Sequence, residues 1–293
     1  MKPLIVLACV FASTSALAQS PPPTFEAGKR DDVKDVDKVD WTAKGEAGLV
    51  ETTGNSKTTT MTLGANAMRK DKDNKLELTV SAMFARATTR TAADANGNGV
   101  IDDGELSTAT TTSAQNAAGK LRYDRFLTPA DALYVAALAA TDKPAGKQFI
   151  GGGQAGYSRG LYKQDSHEVL GEVGYDFSYL KPETGDAVSI HSGRVFAGYK
   201  GKLSKDTALE ASGEALFNLN SIKFGTRTAS AFEETRLTGI ASVVSALSTK
   251  LSLSVSFTAK YDNFPPPLAK IGPLPFAPGY EPAADKLDTI TKV

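Results

Sequence analysis

The feature that most limits what this chain can fold into is an alternation of period two. Leu251, Leu253, Val255, Phe257, Ala259 and Tyr261 are apolar, and Ser252, Ser254, Ser256, Thr258 and Lys260 between them are polar. Successive side chains of an extended strand point to opposite faces, so this stretch makes a strand with one oily and one wet face. A half-buried strand of a soluble sandwich would alternate in the same way. Its length, about eleven residues, is that of a tilted strand crossing a bilayer core.

The pattern recurs from Trp41 onward. Trp41, Ala43, Gly45, Ala47 and Leu49 share a face opposite Lys44 and Glu46. Leu76, Leu78, Val80, Ala82 and Phe84 oppose Glu77, Thr79 and Ser81, and Leu121 and Tyr123 oppose Lys120, Arg122 and Asp124. Val169 to Tyr179 and Leu209 to Phe217 read alike, while Ala132 to Ala140 is apolar on both faces. About twelve strands result. Their connections alternate in length: tight at 70–74, 127–130, 163–166, 203–206 and 247–250, and on the other side including the long 88–110, 181–187, 218–230 and 262–285. Short turns at one end and long loops at the other are the mark of outer-membrane barrels.

A barrel is expected rather than a sandwich for two further reasons. The apolar face is rich in alanine and glycine and flanked by aromatics: Tyr123, Phe126, Tyr134, Tyr157 and Tyr162 near the short turns, Phe84, Phe177, Tyr179, Tyr261 and Phe264 near the long loops. Two aromatic belts fit a wall crossing two lipid–water interfaces. The other face carries charges of both signs, which a soluble core could not hold unpaired. The fold class expected is all-β, an antiparallel up-and-down transmembrane β-barrel.

The N-terminus fits export. Lys2, the apolar start Leu4 to Val10 and Ala16-Leu17-Ala18 before Gln19 read as a signal peptide over residues 1–18. Cys9, the chain's one cysteine, lies inside it, so the exported chain is expected to use no disulfides. Residues 19–40, with Pro21-Pro22-Pro23 and a charged run from Lys29, read as a solvated periplasmic leader, and 41–293 as the barrel. Formal net charge is zero, which argues against a nucleic-acid partner.

Trp41 through Gly54-Asn55-Ser56, Leu121-Arg122-Tyr123-Asp124-Arg125-Phe126-Leu127, Gly151 to Tyr162, Leu251 to Pro267 and Asp285-Lys286-Leu287-Asp288 resemble, in order and spacing, the YdiY-like salt-induced outer-membrane protein family. The resemblance implies an outer-membrane β-barrel of structural or envelope-stress role, with outer-membrane lipids and the barrel assembly machinery as partners and no catalytic residues. The chain ends Thr291-Lys292-Val293 where such chains usually end in an aromatic.

The sharpest local motif is Asp94-Ala95-Asn96-Gly97-Asn98-Gly99-Val100-Ile101-Asp102-Asp103-Gly104-Glu105. It fits the twelve-residue EF-hand loop: side-chain oxygens from Asp94, Asn96 and Asn98, the turn at Gly99, the Val100 carbonyl, Asp102 directly or through water, and Glu105 bidentate. Ca2+ binding by this loop is expected, without the flanking helices of a sensor. Catalysis has little support: Ser189 and His191 share a strand face, but no third member of a hydrolase triad accompanies them. The inward charges Lys44, Glu46, Glu77, Lys120, Arg122, Glu168, Glu172, Asp176, Arg194, Glu210, Glu214 and Lys260 either line a pore or pair across the lumen and fill it.

Overall fold

In the computed structural model, residues 39–293 are described, apart from 54–55, 93–98, 103–104, 144–145, 165, 184, 248–251, 268–282, 284 and 293. The signal peptide expected over 1–18 lies outside them, as does the leader expected over 19–40 except for Val39 and Asp40, the latter already in the first strand. Fourteen strands follow one another: β1 (Asp40–Thr52), β2 (Ser56–Asp71), β3 (Asn74–Ala92), β4 (Leu106–Phe126), β5 (Asp131–Asp142), β6 (Lys147–Gln164), β7 (His167–Pro182), β8 (Val188–Lys202), β9 (Thr207–Asn218), β10 (Ile222–Phe224), β11 (Arg227–Ala229), β12 (Thr235–Ala246), β13 (Ser252–Asp262) and β14 (Leu287–Lys292). Twelve of them form one antiparallel sheet in chain order, with β9 beside β12, and β10 and β11 pair separately. This is the up-and-down all-β sheet of about twelve strands that the alternation predicts.

The sheet is strongly curled. β4 and β7 stand three places apart in the ladder, about 14 Å in a flat sheet. Yet Arg122 on β4 and Glu172 on β7 are 2.7 Å apart, and Arg194 on β8 donates to the phenol of Tyr134 on β5 at 2.7 Å. Side chains standing perpendicular to a flat sheet could not meet so. The concave face therefore closes on itself over these strands.

Polarity is inverted relative to a water-soluble domain. The convex face carries Leu63, Val80, Leu121, Val135, Val173, Val195, Leu237, Val255 and Phe257, all exposed. The concave face buries Lys75, Glu77, Lys120, Arg122, Asp124, Glu172, Asp176 and Arg194. Exposed large apolar side chains this numerous and contiguous mark an interaction surface, for a membrane or for another protein.

Three expectations are corrected. The loop expected over 88–110 is partly strand, because β3 runs to Ala92 and β4 starts at Leu106. The threonines there have high β-propensity and pair across strands, as Thr88 Oγ1 does with Thr110 Oγ1 at 2.9 Å, but with both faces wet they show no alternation. The loop expected over 218–230 contains the β10–β11 hairpin. And three aromatics assigned to the belts are elsewhere: Phe126 and Tyr134 point inward and are buried, while Phe264 stacks on Phe224 at 5.7 Å.

The β10–β11 hairpin is a folded cap at the long-loop end. Ile222 and Ala229 pack on Ile190, with Val188 and Phe264 alongside. The Arg227 guanidinium lies 5.0 Å over the Phe264 ring and donates to the Pro265 carbonyl at 2.7 Å. Asn218 fixes the base: its Oδ1 accepts from Glu234 N–H, and its Nδ2 donates to the Asn220 and Ser230 carbonyls. Val188 and Ile190 sit at even positions of β8, the same face as Ser192 and Arg194, so the hairpin covers the concave face near the mouth.

Glu234 closes this cap and is buried beside Arg236 Nε at 2.7 Å. Burial raises its carboxyl pKa despite the arginine. The folded cap thus holds this proton more tightly than the opened one, so its stability is fullest below about pH 4.5 and falls as pH rises above it. Hydrogen–deuterium exchange of residues 222–229, corrected for intrinsic rates, should show more protection near pH 4 than near pH 7. Glu234→Gln should remove that difference.

Candidate functional site: a buried ionic network on the concave face

The site begins with Arg122. It lies on β4 two residues before Asp124, and both side chains point inward because they share parity. Arg122 Nε donates to both Asp124 oxygens at 3.0 Å, and Nη2 donates to Oδ1 at 2.7 Å. The rest of the fork reaches Glu172, with Nη2 to Oε1 at 2.7 Å and Nη1 to Oε2 at 3.3 Å. Glu172 Oε2 also accepts from Arg194 Nη1 at 2.8 Å. Arg194 Nε pairs with Glu214 on β9. Two guanidiniums thus share one carboxylate, and each has a second carboxylate of its own. Bidentate arginine pairs of this kind are the strong form of ionic hydrogen bond.

Tyr134 sits between the arginines. The Arg122 guanidinium carbon is 4.3 Å from its ring centroid and that of Arg194 is 5.5 Å away. The phenol reaches over β6 and β7 only because Gly156 and Gly174 lie beneath it. A Cβ at either position would stand 2.6 Å from the phenol oxygen. The apolar-on-both-faces reading of 132–140 now has its reason. Ala132 and Ala136 flank Tyr134 with minimal bulk, Ala136 opposite Arg122 and Ala132 opposite the buried ring of Phe126.

Further pairs extend the network around the curl. Lys75 Nζ lies 3.2 Å from Glu77, whose other oxygen accepts from Asn66 at 2.7 Å. Asp176 accepts from Gln154 at 2.9 Å and Ser178 at 2.7 Å, and stands 3.8 Å from Arg236. Arg236 also donates to Ser192 at 3.0 Å. Near the short turns, Phe196 under Arg194 packs on Leu170, and Phe126 packs on Ala132.

The filling is one-sided. Inward positions of β3 to β8 are largely buried, but Thr238, Ile240 and Ser242 of β12 are only half-buried, and Gly48 and Val50 of β1 are exposed.

Of the inward charges expected from the sequence, Glu77, Lys120, Arg122, Glu172, Asp176 and Arg194 are buried together, with Glu214 at their edge. Glu210 instead pairs with Lys200 at half-exposed positions. Glu168 and Lys260 are partly exposed, and the side chains of Lys44 and Glu46 lie outside the described residues. Sequence reasoning missed Lys75 and Tyr134, although both have the inward parity of their strands. It also missed Arg236.

The expected calcium ligands are divided. Asp94, Asn96 and Asn98 lie outside the described residues. Gly99 has φ +83°, the left-handed conformation for which glycine suits the sixth loop position. Asp102 N–H donates to Glu105 Oε2 at 2.9 Å, and Glu105 N–H donates to the Asp102 carbonyl at 3.2 Å. Among the described residues no group of three or more His, Cys, Asp or Glu is arranged to hold a metal ion. The Nδ1 of His191 bonds the Tyr175 hydroxyl, and the Ser189 carbonyl accepts from Asn220.

Removing Arg194 strands Glu214 and leaves Glu172 with one guanidinium. Breaking a fully buried pair costs about 3–5 kcal/mol. Arg194→Met should lower the urea midpoint of unfolding accordingly, read by the fluorescence of the lone Trp41. The exposed pair Lys200–Glu210 should be nearly silent when Lys200 is replaced by Met.

No curated protein matches the chain. A family described as "Protein of unknown function, DUF481" matches over residues 45–270. That span covers most of the sequence, from β1 to beyond β13. The chain belongs to this family, the one that contains the YdiY-like salt-induced outer-membrane proteins.

Proposed function

We propose that the protein is a non-enzymatic β-barrel of the bacterial outer membrane, structural or related to envelope stress, whose lumen is held shut by its own side chains. The observation that carries this reading is the inverted polarity: an apolar convex face and a buried ionic concave face. Water would meet the wrong side of such a sheet, whereas hydrocarbon meets the right one. Two tyrosine–histidine pairs on the convex face of β7 and β8 support the same setting. His167 bonds Tyr199, and His191 bonds Tyr175. The pairs are separated by eight residues along each strand, about 27 Å, or about 20 Å across a membrane at barrel tilt. Amphipathic rings at that separation fit the two interfaces.

A second reading, a channel for small solutes, draws on the incompletely filled side at β12 and β1. The ionic plug narrows the path, and the β10–β11 cap covers the concave face at one end. A lipid hydrolase at Ser189 and His191 and a secreted soluble binding protein stand as weaker alternatives.

Cell fractionation should place the protein with outer membranes. The unboiled chain should migrate faster than the boiled one on detergent gels, and planar bilayers should show no large steady conductance. A freely soluble monomer would sink the membrane reading. Large open steps would replace the shut lumen with the channel.

We also propose that residues 94–105 bind Ca2+ as a stiffener of the β3–β4 hairpin tip, with Asp94, Asn96, Asn98, Val100, Asp102 and Glu105 as ligands. The left-handed Gly99 supports the turn this requires. An exposed site of this type binds at about 10⁻⁴–10⁻³ M. Titration calorimetry should give a calcium heat in that range, abolished by Glu105→Ala. The same heat in both proteins would rule the site out.

A further inference from the structure

The convex wall has a hollow that the barrel itself does not explain. It spans β2 to β5 and continues to Phe149 of β6, with a volume of about 660 Å³. Its floor is Ala65, Ala82, Ala117, Gly119 and Ala139, and its walls are Leu63, Val80 and Phe149. The Phe149 ring leans over Gly151, where an added Cβ would meet it at 2.7 Å, so the glycine leaves room for this wall. The volume lies within the roughly 300–1,000 Å³ of small-molecule sites, and the lining is almost wholly apolar.

The end of this hollow toward the long loops is cationic. On β3 the outward column runs Val80, Ala82, Phe84, Arg86, and Phe84 is opposite Gln115 of β4. On β5 the outward column runs Ala139 and Thr141 and continues to Lys143, whose N–H donates to the Gln115 carbonyl at 3.3 Å. Phe84 and Lys143 therefore flank Gln115 from the two neighbouring strands, Arg86 lies one outward position further along β3 opposite Thr112, and both cations are exposed. The backbones of Arg86 and Lys143 stand about 12 Å apart, two strand spacings across and two residues along. Two long cationic side chains can close on one anion across that gap.

We infer that this hollow is a specific site for a lipid with an anionic phosphate headgroup, its acyl chain lying along the alanine–glycine floor and its phosphate between Arg86 and Lys143. The inference rests on the membrane reading and adds a lipid class to it. A lipid is the occupant because the two chemistries are contiguous: the hollow takes hydrocarbon, and the rim above it takes negative charge. Interfacial cations favour anionic lipids in this way.

The test uses the full exported chain in mixed micelles, with phosphatidylglycerol and phosphatidylcholine of identical acyl chains, read by native mass spectrometry. Wild type should retain one phosphatidylglycerol in preference to phosphatidylcholine by about ten- to thirtyfold. The Arg86→Ala, Lys143→Ala double variant should lose the preference. Ala117→Phe should fill the hollow and prevent retention of either lipid, while its heat-dependent gel shift stays that of wild type. Equal retention of the two lipids by wild type, or unchanged retention by Ala117→Phe, would overturn the site. A soluble chain without a heat shift would instead fail the membrane reading beneath it.

Discussion

The structure depends on one shared carboxylate. Glu172 accepts from Arg122 and Arg194, which come from strands on either side of β7 in the ladder, and so ties β4 to β8 across the concave face. Each charge is buried, and an isolated one would be costly. The cost is offset because each guanidinium has two carboxylates and an aromatic face: Arg122 with Asp124 and Glu172, Arg194 with Glu172 and Glu214, both beside Tyr134. Such an arrangement does not add stability over an apolar core of equal volume. What it supplies is geometry, since the network can form only when the sheet has the curvature that brings β4, β5, β7 and β8 together.

Curvature in turn depends on small residues. Gly156 and Gly174 give Tyr134 its path, Ala136 leaves room beside Arg122, and Ala132 leaves room for Phe126. On the convex side, alanine and glycine at Ala65, Ala82, Ala117, Gly119 and Ala139 have the opposite effect: they hollow the wall. The same residue types that let charges pack inside thus shape the surface outside.

Much of the fold was legible because its signal is local. Period two over strands such as Leu251 to Tyr261 fixes which side chains share a face, and turns such as Asp71 to Asn74 fix the antiparallel neighbour. Parity alone also named Glu77, Arg122, Glu172 and Arg194 as inward. Which of them meet was not legible, because Arg122 and Glu172 are fifty residues apart and joined only by the curl. Tyr134 was misassigned because a tyrosine near a short turn suits an interface belt equally well. Residues 88–92 and 106–110 look like loop in the sequence because a ladder wet on both faces carries no hydrophobic period. Gly99 was legible by chemistry rather than pattern, as the sixth loop position, whose sharp turn suits the positive φ it adopts.

The network also divides the sheet mechanically. From β3 to β9 the strands are joined twice, by backbone ladders and by buried side-chain pairs. At β12 and β1 the inward positions are more exposed, and β14 contributes only six residues, paired over Ser256 to Tyr261. Apart from Arg236, whose contacts tie the start of β12 to β7 and β8, opening of the ladder uncovers less buried surface there, whereas anywhere between β4 and β8 it would strand a buried charge. Local stability should follow the density of buried contacts. Motion and exchange with solvent therefore belong to β12 and β1 rather than to the strands that the arginine cluster joins.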